Sequence, residues 1–155
     1  MDKNHALFIG KAGEMAVVSE LLFRGFNANI LAVDYGADVI ALKNNKVYQV
    51  QVKTRTLSSR NKVLYQFRKD TFDELNQQGY YVVLVIRDEE GINDYIIMPG
   101  NTVSIFIAKG WVEDYKDIWR MWIGLRESEE GKKVVFMRRI SNTITEYLNN
   151  WDLIK

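Results

Sequence analysis

The sequence predicts an α/β domain, a mixed β-sheet with helices packed on its faces. Three observations predict it. An apolar face at helical spacing runs from Gly10 to Gly25, ahead of every strand signal. Lys46 to Arg55 alternates side by side, with Tyr48, Val50, Val52 and Thr54 on one face and Gln49, Gln51, Lys53 and Arg55 on the other. Tyr80 to Ile86 (YYVVLVI) is an unbroken apolar run, as expected of a strand buried on both faces. Together with shorter signals between them, the order reads helix, strand, strand, strand, helix, strand.

The elements follow in chain order. Ala12, Met15, Ala16, Val17, Val18, Leu21 and Leu22 make the first helix, which Gly25 stops. Asn27 to Val33 is a predicted strand, and Asp34-Tyr35-Gly36 a turn. Asp38 to Leu42 is a second strand, apolar after its first residue. Asn44-Asn45 is a two-residue hairpin signal that leads into the alternating strand. Thr56 to Asn61 is a polar loop, Val63 to Phe67 a short strand, and Asp70 to Gly79 a helix. After the apolar run, Asp88 to Gly91 is a turn and Asp94 to Met98 a strand. Beyond Pro99, the only proline, the signals thin out. Thr102 to Lys109 reads as helix or strand, Val134 to Met137 as a strand, and Thr143 to Leu153 as a closing helix capped near Ser141 or Asn142. With no repeat and no Pro/Gly/Ser linker, residues 1–155 are expected to be one domain, with a core over about 10–98 and a C-terminal extension over about 99–155.

Composition excludes several classes. Hydrophobic residues make up 47% and charged residues 26%, so the chain is neither disordered nor of low complexity. There is no cysteine, which removes a disulfide scaffold, a thiolate metal site and a Cys nucleophile. The one histidine, His5, makes a His-based triad or zinc site implausible. No apolar run reaches the ~18 residues of a membrane helix, and the N-terminal apolar stretch is too short for a signal peptide. A cytoplasmic protein with no membrane partner is the expectation.

The net charge is only +1, but its distribution is uneven. Lys43, Lys46, Lys53, Arg55, Arg60, Lys62, Arg68 and Lys69 fall between Asp38 and Asp70 with no acidic residue among them. That segment carries +8, which leaves −7 for the rest of the chain. Such a stretch is either a solvated face or the electrostatic footprint for a polyanion.

Four polar residues have no local structural reason to be where they are. Glu14 sits among apolar helix residues, Asp38 opens an apolar strand, and Gln51 and Lys53 lie two apart on the next strand. Closing the hairpin at Asn44-Asn45 sets Leu42 and Lys43 against Lys46 and Val47. The same register brings Asp38 opposite the Gln51 region. A carboxylate, an amide oxygen and an ammonium then converge at one end of a sheet. Hard oxygen donors in small number suit Mg²⁺, with the lysine beside them handling a proton or charge. Taken singly, each residue has a plainer explanation. Gln-x-Lys is commonly the wet face of a sheet, Glu14 suits the helix, and Asp38 suits a turn.

Gly13-Glu14 with its Leu-Leu-Phe-Arg-Gly-Phe helix end, Asp34-Tyr35-Gly36-Ala37-Asp38, and Gln51-Val52-Lys53-Thr54 resemble the motifs of the PD-(D/E)XK nuclease superfamily. This is the fold of restriction endonucleases and archaeal Holliday-junction resolvases. The motifs cover residues 10 to 55, and the predicted αβββαβ order extends the likeness to about residue 98. The second acidic motif residue is replaced by Gln51. In that the chain is similar to the intron-encoded homing endonucleases of this fold. The resemblance implies a restriction-endonuclease-like α/β fold and a Mg²⁺- or Mn²⁺-dependent DNA endonuclease. It makes Asp38 the central metal ligand, with the Gln51 amide oxygen, the Val52 carbonyl and Glu14 completing the set. Lys53 would orient or deprotonate the attacking water. Asp34 is a weaker candidate. An amide brings no charge, so metal affinity is expected to be lower than with a second carboxylate.

The loop after Lys53 is expected to meet the DNA backbone through Arg55, Arg60 and Lys62. Trp111, Trp119, Met121 and Trp122 are either core or a subunit contact. Because duplex cleavage needs two cuts, a homodimer or dimer of dimers is expected. The alternative function is a non-catalytic nucleic-acid-binding or assembly protein on the same fold.

Overall fold

The computed structural model describes residues 3–33 and 36–155. Asp34 and Tyr35, which the sequence places in a turn, lie outside the described residues. The first helix, α1 (Lys3–Phe23), begins seven residues before the predicted start. It ends as expected at Gly25. The Phe26 N–H reaches the Leu21 carbonyl and the Gly25 N–H the Leu22 carbonyl, with Gly25 at φ +79°.

Strands β1 (Asn27–Ile30), β2 (Val39–Lys43) and β3 (Lys46–Thr56) form an antiparallel meander. Asn44 and Asn45 both adopt left-handed φ values, 52° and 59°, as a two-residue type I′ turn requires. Lys43 pairs with Lys46 and Leu42 with Val47, the predicted register. β4 (Lys62–Arg68) then leaves this sheet. β5 (Tyr80–Arg87) returns to pair with β3 in parallel, and β6 (Asn93–Pro99) pairs antiparallel with β5. The result is a five-stranded mixed sheet in the order β1-β2-β3-β5-β6. α2 (Gly100–Ala108) resolves the helix-or-strand alternative as helix. Strands β7 (Glu113–Tyr115), β8 (Ile118–Glu127) and β9 (Lys133–Met137) build a second sheet with β4, in which β8 pairs with all three others. Two α-helices and nine strands are present among the described residues.

Two predicted helices are absent. Between Asp70 and Gly79 the chain forms a single 3₁₀ turn, Phe72–Asn76. Thr71, Asp73 and Asn76 are poor helix formers, and too few residues remain for a stable helix. The predicted closing helix is replaced by two 3₁₀ turns, Thr145–Tyr147 and Trp151–Leu153. Asn149 lies between them at φ 52°, a conformation no helix contains, and its side chain accepts the Tyr95 N–H.

The alternation of β3 separates two apolar layers. Tyr48, Val50 and Val52 pack with Val17, Leu21 and Phe26 beneath α1. The opposite face of the first sheet meets the second sheet and α2 around Tyr65, Leu84, Met98 and Met121. Trp111 and Trp119 pack against this second layer, and Met121 is fully buried within it. Trp111, Trp119 and Met121 therefore serve the protein's own core, whereas Trp122 lines a surface cleft. The large apolar side chains left at the surface of α1 are Leu7, Phe8, Met15, Leu22 and Phe23.

α1 is seated on β3 through Gly13. A Cβ at this position would lie 1.7 Å from Thr54 Oγ1. Gly→Ala inside an exposed helix normally stabilises by about 1 kcal/mol. Here the sign is expected to reverse, with Gly13→Ala losing about 1–3 kcal/mol through overpacking. Urea unfolding checks it, and a variant at least as stable as the parent would show that α1 does not rest on Thr54.

Candidate active site

Asp38 sits one residue before β2, where the antiparallel ladder ends. Its N–H donates to the Val50 carbonyl at 3.0 Å, and its carbonyl accepts the Leu31 N–H at 2.9 Å. With its backbone held on both sides, the side chain turns along the edge of β3. Asp38 Oδ2 accepts the Val52 N–H at 2.6 Å, a short charge-assisted bond. The amide and carbonyl of one strand residue leave on the same edge. The Val52 carbonyl therefore faces the side of β3 on which the Asp38 carboxylate lies.

The side chains on either side of Val52 point the other way. Val52 is buried under α1, while Gln51 and Lys53 line a cleft of about 320 Å³ on the opposite face of the sheet. Gly36, Phe67, Arg68, Thr71, Phe72 and Leu75 complete the cleft wall. Lys53 Nζ stands 5.1 Å from the centre of the Phe67 ring, so the ammonium lies over an aromatic face. At the rim, Arg68 makes a two-pronged pair with Asp70, at 3.0 and 2.5 Å. The Arg68 guanidinium holds the Asp70 carboxyl below its ordinary range, and the carboxylate raises Arg68 in turn.

Glu14 stands apart from this cleft. Its helix packs on the Val52–Thr54 face of β3, so it approaches the strand from the side opposite Gln51 and Lys53. Its carboxylate is ion-paired with Lys11, one turn earlier, and its side chain is only 15% exposed. Among the described residues, no three Asp, Glu, His or Cys side chains form a metal-binding cluster. The oxygens at the edge of β3 among the described residues are thus one carboxylate and a backbone carbonyl, with the Gln51 amide lining the adjoining cleft. Hard neutral and anionic oxygens are the donor chemistry that Mg²⁺ and Mn²⁺ accept. Asp34 lies outside the described residues.

The predicted DNA contacts divide. Arg55 directs Nε to the Leu64 carbonyl at 3.1 Å and Nη1 to the Thr54 carbonyl at 3.0 Å, bracing β3 against β4. Arg60 and Lys62 line a separate, larger cleft at the far end of β4 from Arg68.

Sequence reasoning missed Glu74. One of its carboxylate oxygens would lie 1.9 Å from a Cβ on Gly36, so the carboxylate rests directly on the segment that leads to Asp38. Ser104 of α2 donates to Asn76 at 2.9 Å and steadies this turn. Nothing near Glu74 in sequence signals the contact, because the partner lies 38 residues away and the turn reads locally as helix.

No family model matches this sequence, and no curated protein is significantly similar to it. Solved structures do match. One is a bacterial homing endonuclease, with a TM-score of 0.55 and 17% identity, covering 95% of this chain and 90% of that one. Another is Hjc, a Holliday junction resolvase from the archaeal hyperthermophile Archaeoglobus fulgidus, with a TM-score of 0.47 and 16% identity over 72% of this chain and 81% of that one. With a helix on one face of a mixed sheet and a polar strand edge at Asp38–Val52, and matching the homing endonuclease over nearly its whole length, this chain has a restriction-endonuclease-like fold.

Proposed function

We propose that the chain is a divalent-metal-dependent DNA endonuclease that hydrolyses phosphodiester bonds. The observation that carries this reading is the Asp38–Val52 hydrogen bond at the end of the β2–β3 ladder, with Gln51 and Lys53 side by side on the adjoining strand positions. Asp38, the Gln51 amide and the Val52 carbonyl would hold Mg²⁺ or Mn²⁺, and Glu14 would join them from α1 only by giving up its pairing with Lys11. When bound, the metal supplies Lewis-acid polarisation of the phosphate and a water of lowered pKa. The protein's part is to position. Asp38 is fixed by its own backbone bonds and by Val52. Lys53 Nζ, held over Phe67, hydrogen-bonds the attacking water and offsets the negative charge that grows on the phosphorane. Arg68 at the rim is placed to meet a neighbouring phosphate.

One observation favours the second reading, a DNA-binding module without turnover. Among the described residues the strand edge holds a single carboxylate, and Glu14 is already paired with Lys11. Incubating supercoiled and branched DNA with the protein separates the two. Cleavage in Mg²⁺ or Mn²⁺ that stops in EDTA supports the nuclease; binding without cleavage in either metal supports the module.

Asp38 has a structural job as well, so the choice of variant matters. Asp38→Ala leaves the Val52 N–H unpaired and is expected to cost about 1–3 kcal/mol. Asp38→Asn keeps an acceptor for Val52 and removes the charge. Asp38→Asn and Lys53→Ala are expected to unfold close to the parent and to lose cleavage by about a hundredfold or more. Near-parental rates in either folded variant would contradict the proposed roles. Gln51→Glu adds a charge to the edge and is expected to tighten Mn²⁺ binding in titration calorimetry. Equal or weaker binding by a folded variant would place Gln51 away from the metal.

Two cuts in one duplex call for two sites, and self-association as a dimer or a dimer of dimers provides them. Light scattering is expected to give at least twice the 18.1 kDa chain mass, alone or on DNA. A monomer under both conditions would instead fit a nicking enzyme or a binding module.

A further inference from the structure

The second sheet has a core side and an outer side, and apart from Arg68 the proposed reaction uses neither the cations of the outer side nor its tryptophan. Val63, Tyr65, Phe67, Met121 and Ile123 point inward. The alternation therefore turns Lys62, Gln66 and Arg68 of β4, and Arg120, Trp122 and Arg126 of β8, outward. Across the two strands, Lys62 pairs with Gly124, Leu64 with Trp122, and Gln66 with Arg120. Arg120 lies between Tyr115 and Trp122, 4.7 and 5.7 Å from their ring centres. Among the described strand residues of this face the acidic one is Glu113, which is engaged by Arg120 at 3.5 Å and by the Trp122 Nε1–H at 3.3 Å.

At the Lys62 end of β4 lies a cleft of about 790 Å³. Arg60, Lys62 and Arg138 surround it, Trp122 and Phe136 form its apolar floor, and none of the described lining residues is acidic. The floor depends on Gly124. A Cβ there would meet the Phe136 ring at 2.3 Å, so the end of the ring occupies the space a side chain would need. At the other end of β4, Arg68 lines the candidate active-site cleft. One strand thus joins the two clefts. Its seven residues span about 20 Å at ~3.4 Å per residue, which corresponds to about six base pairs of B-form DNA.

We infer that the outer face of the second sheet is a docking surface for duplex DNA, holding the duplex about six base pairs away from the phosphate in the candidate active site. The inference rests on the nuclease reading above and adds to it the place where the rest of the substrate lies. Cations alternating with aromatic rings, in excess over the acidic residues of this face, suit phosphates and the sugars and base edges between them. Strands are among the elements proteins lay against DNA grooves, and β4 stands at the edge of this sheet. The charge here is gathered from a part of the sequence that is otherwise acidic. Arg120, Arg126 and Arg138 lie outside the +8 segment, yet the fold brings them beside its Arg60, Lys62 and Arg68.

Arg126 and Arg138 are exposed, and neither lines the candidate active-site cleft. The test is fluorescence anisotropy with a 30-base-pair duplex in Ca²⁺ at several salt concentrations. It compares the parent, Arg126→Gln/Arg138→Gln, and a control pair, Lys46→Gln/Lys155→Gln, on exposed lysines away from this sheet. The first pair is expected to weaken binding by about tenfold or more and to lower the salt slope by about two, with the control pair nearer the parent. Unchanged affinity and slope in Arg126→Gln/Arg138→Gln, with a parent that binds, would overturn this surface and leave the nuclease reading standing. An equal loss in the control pair would overturn it as well, by showing diffuse charge instead of a docking face. A folded parent that binds no duplex, and instead binds an acidic protein, would overturn both.

Discussion

The Asp38 carboxylate is the contact on which the geometry of the candidate site depends. By accepting the Val52 N–H at 2.6 Å it continues the β2–β3 ladder with a side chain after the backbone of β2 has stopped. A backbone partner at that point would have sealed the edge of β3. A carboxylate leaves an edge that is still paired but anionic and open. Period-2 geometry then dictates the rest, because Val52 must face α1 and Gln51 and Lys53 must face the cleft. One hydrogen bond therefore ties the position of the candidate ligands to the register of a hairpin.

That register depends on contacts far from the edge. Asn44 and Asn45 set it by turning tightly with positive φ. α1 locks it by resting on Thr54 through Gly13, which pins the face of β3 opposite the cleft. The cleft side is closed by elements from later in the chain. Phe67 comes from a strand of the second sheet, and the 3₁₀ turn at Phe72–Asn76 brings the Glu74 carboxylate onto Gly36. The site thus sits where two sheets meet, with a rigid strand supplying its polar side chains and a short turn supplying its wall.

How much of this was legible in the sequence depends on the range of the contacts involved. The hairpin, its register and the two faces of β3 were readable because turn chemistry and alternation are local signals. The convergence of Asp38 on the Gln51 region follows from them. The second sheet was not readable. β4 and β8 pair across fifty residues or more, and the Trp119–Trp122 alternation of β8 suits a core strand and a subunit contact equally. The two missing helices failed for a related reason. Asp70–Gly79 and Thr143–Leu153 have plausible composition, but tertiary bonds from Asn76 and Asn149 hold them as turns. Glu14 illustrates the same limit at the site. Its place on the helix was evident, whereas its pairing with Lys11 and its approach from the far side of β3 were not.

The central claim is that a divalent metal sits at the edge of β3, between Asp38 and the Gln51–Lys53 segment. Local oxidative cleavage of the polypeptide tests this without relying on turnover. Fe²⁺ replaces Mg²⁺, and ascorbate with peroxide generates hydroxyl radicals that cut the chain beside the bound ion. The account predicts fragments ending near residue 38 and near residues 51–53, suppressed by excess Mg²⁺ and lost in Asp38→Asn. Cuts confined to other segments, or a pattern unchanged by Mg²⁺ and by Asp38→Asn, would contradict it.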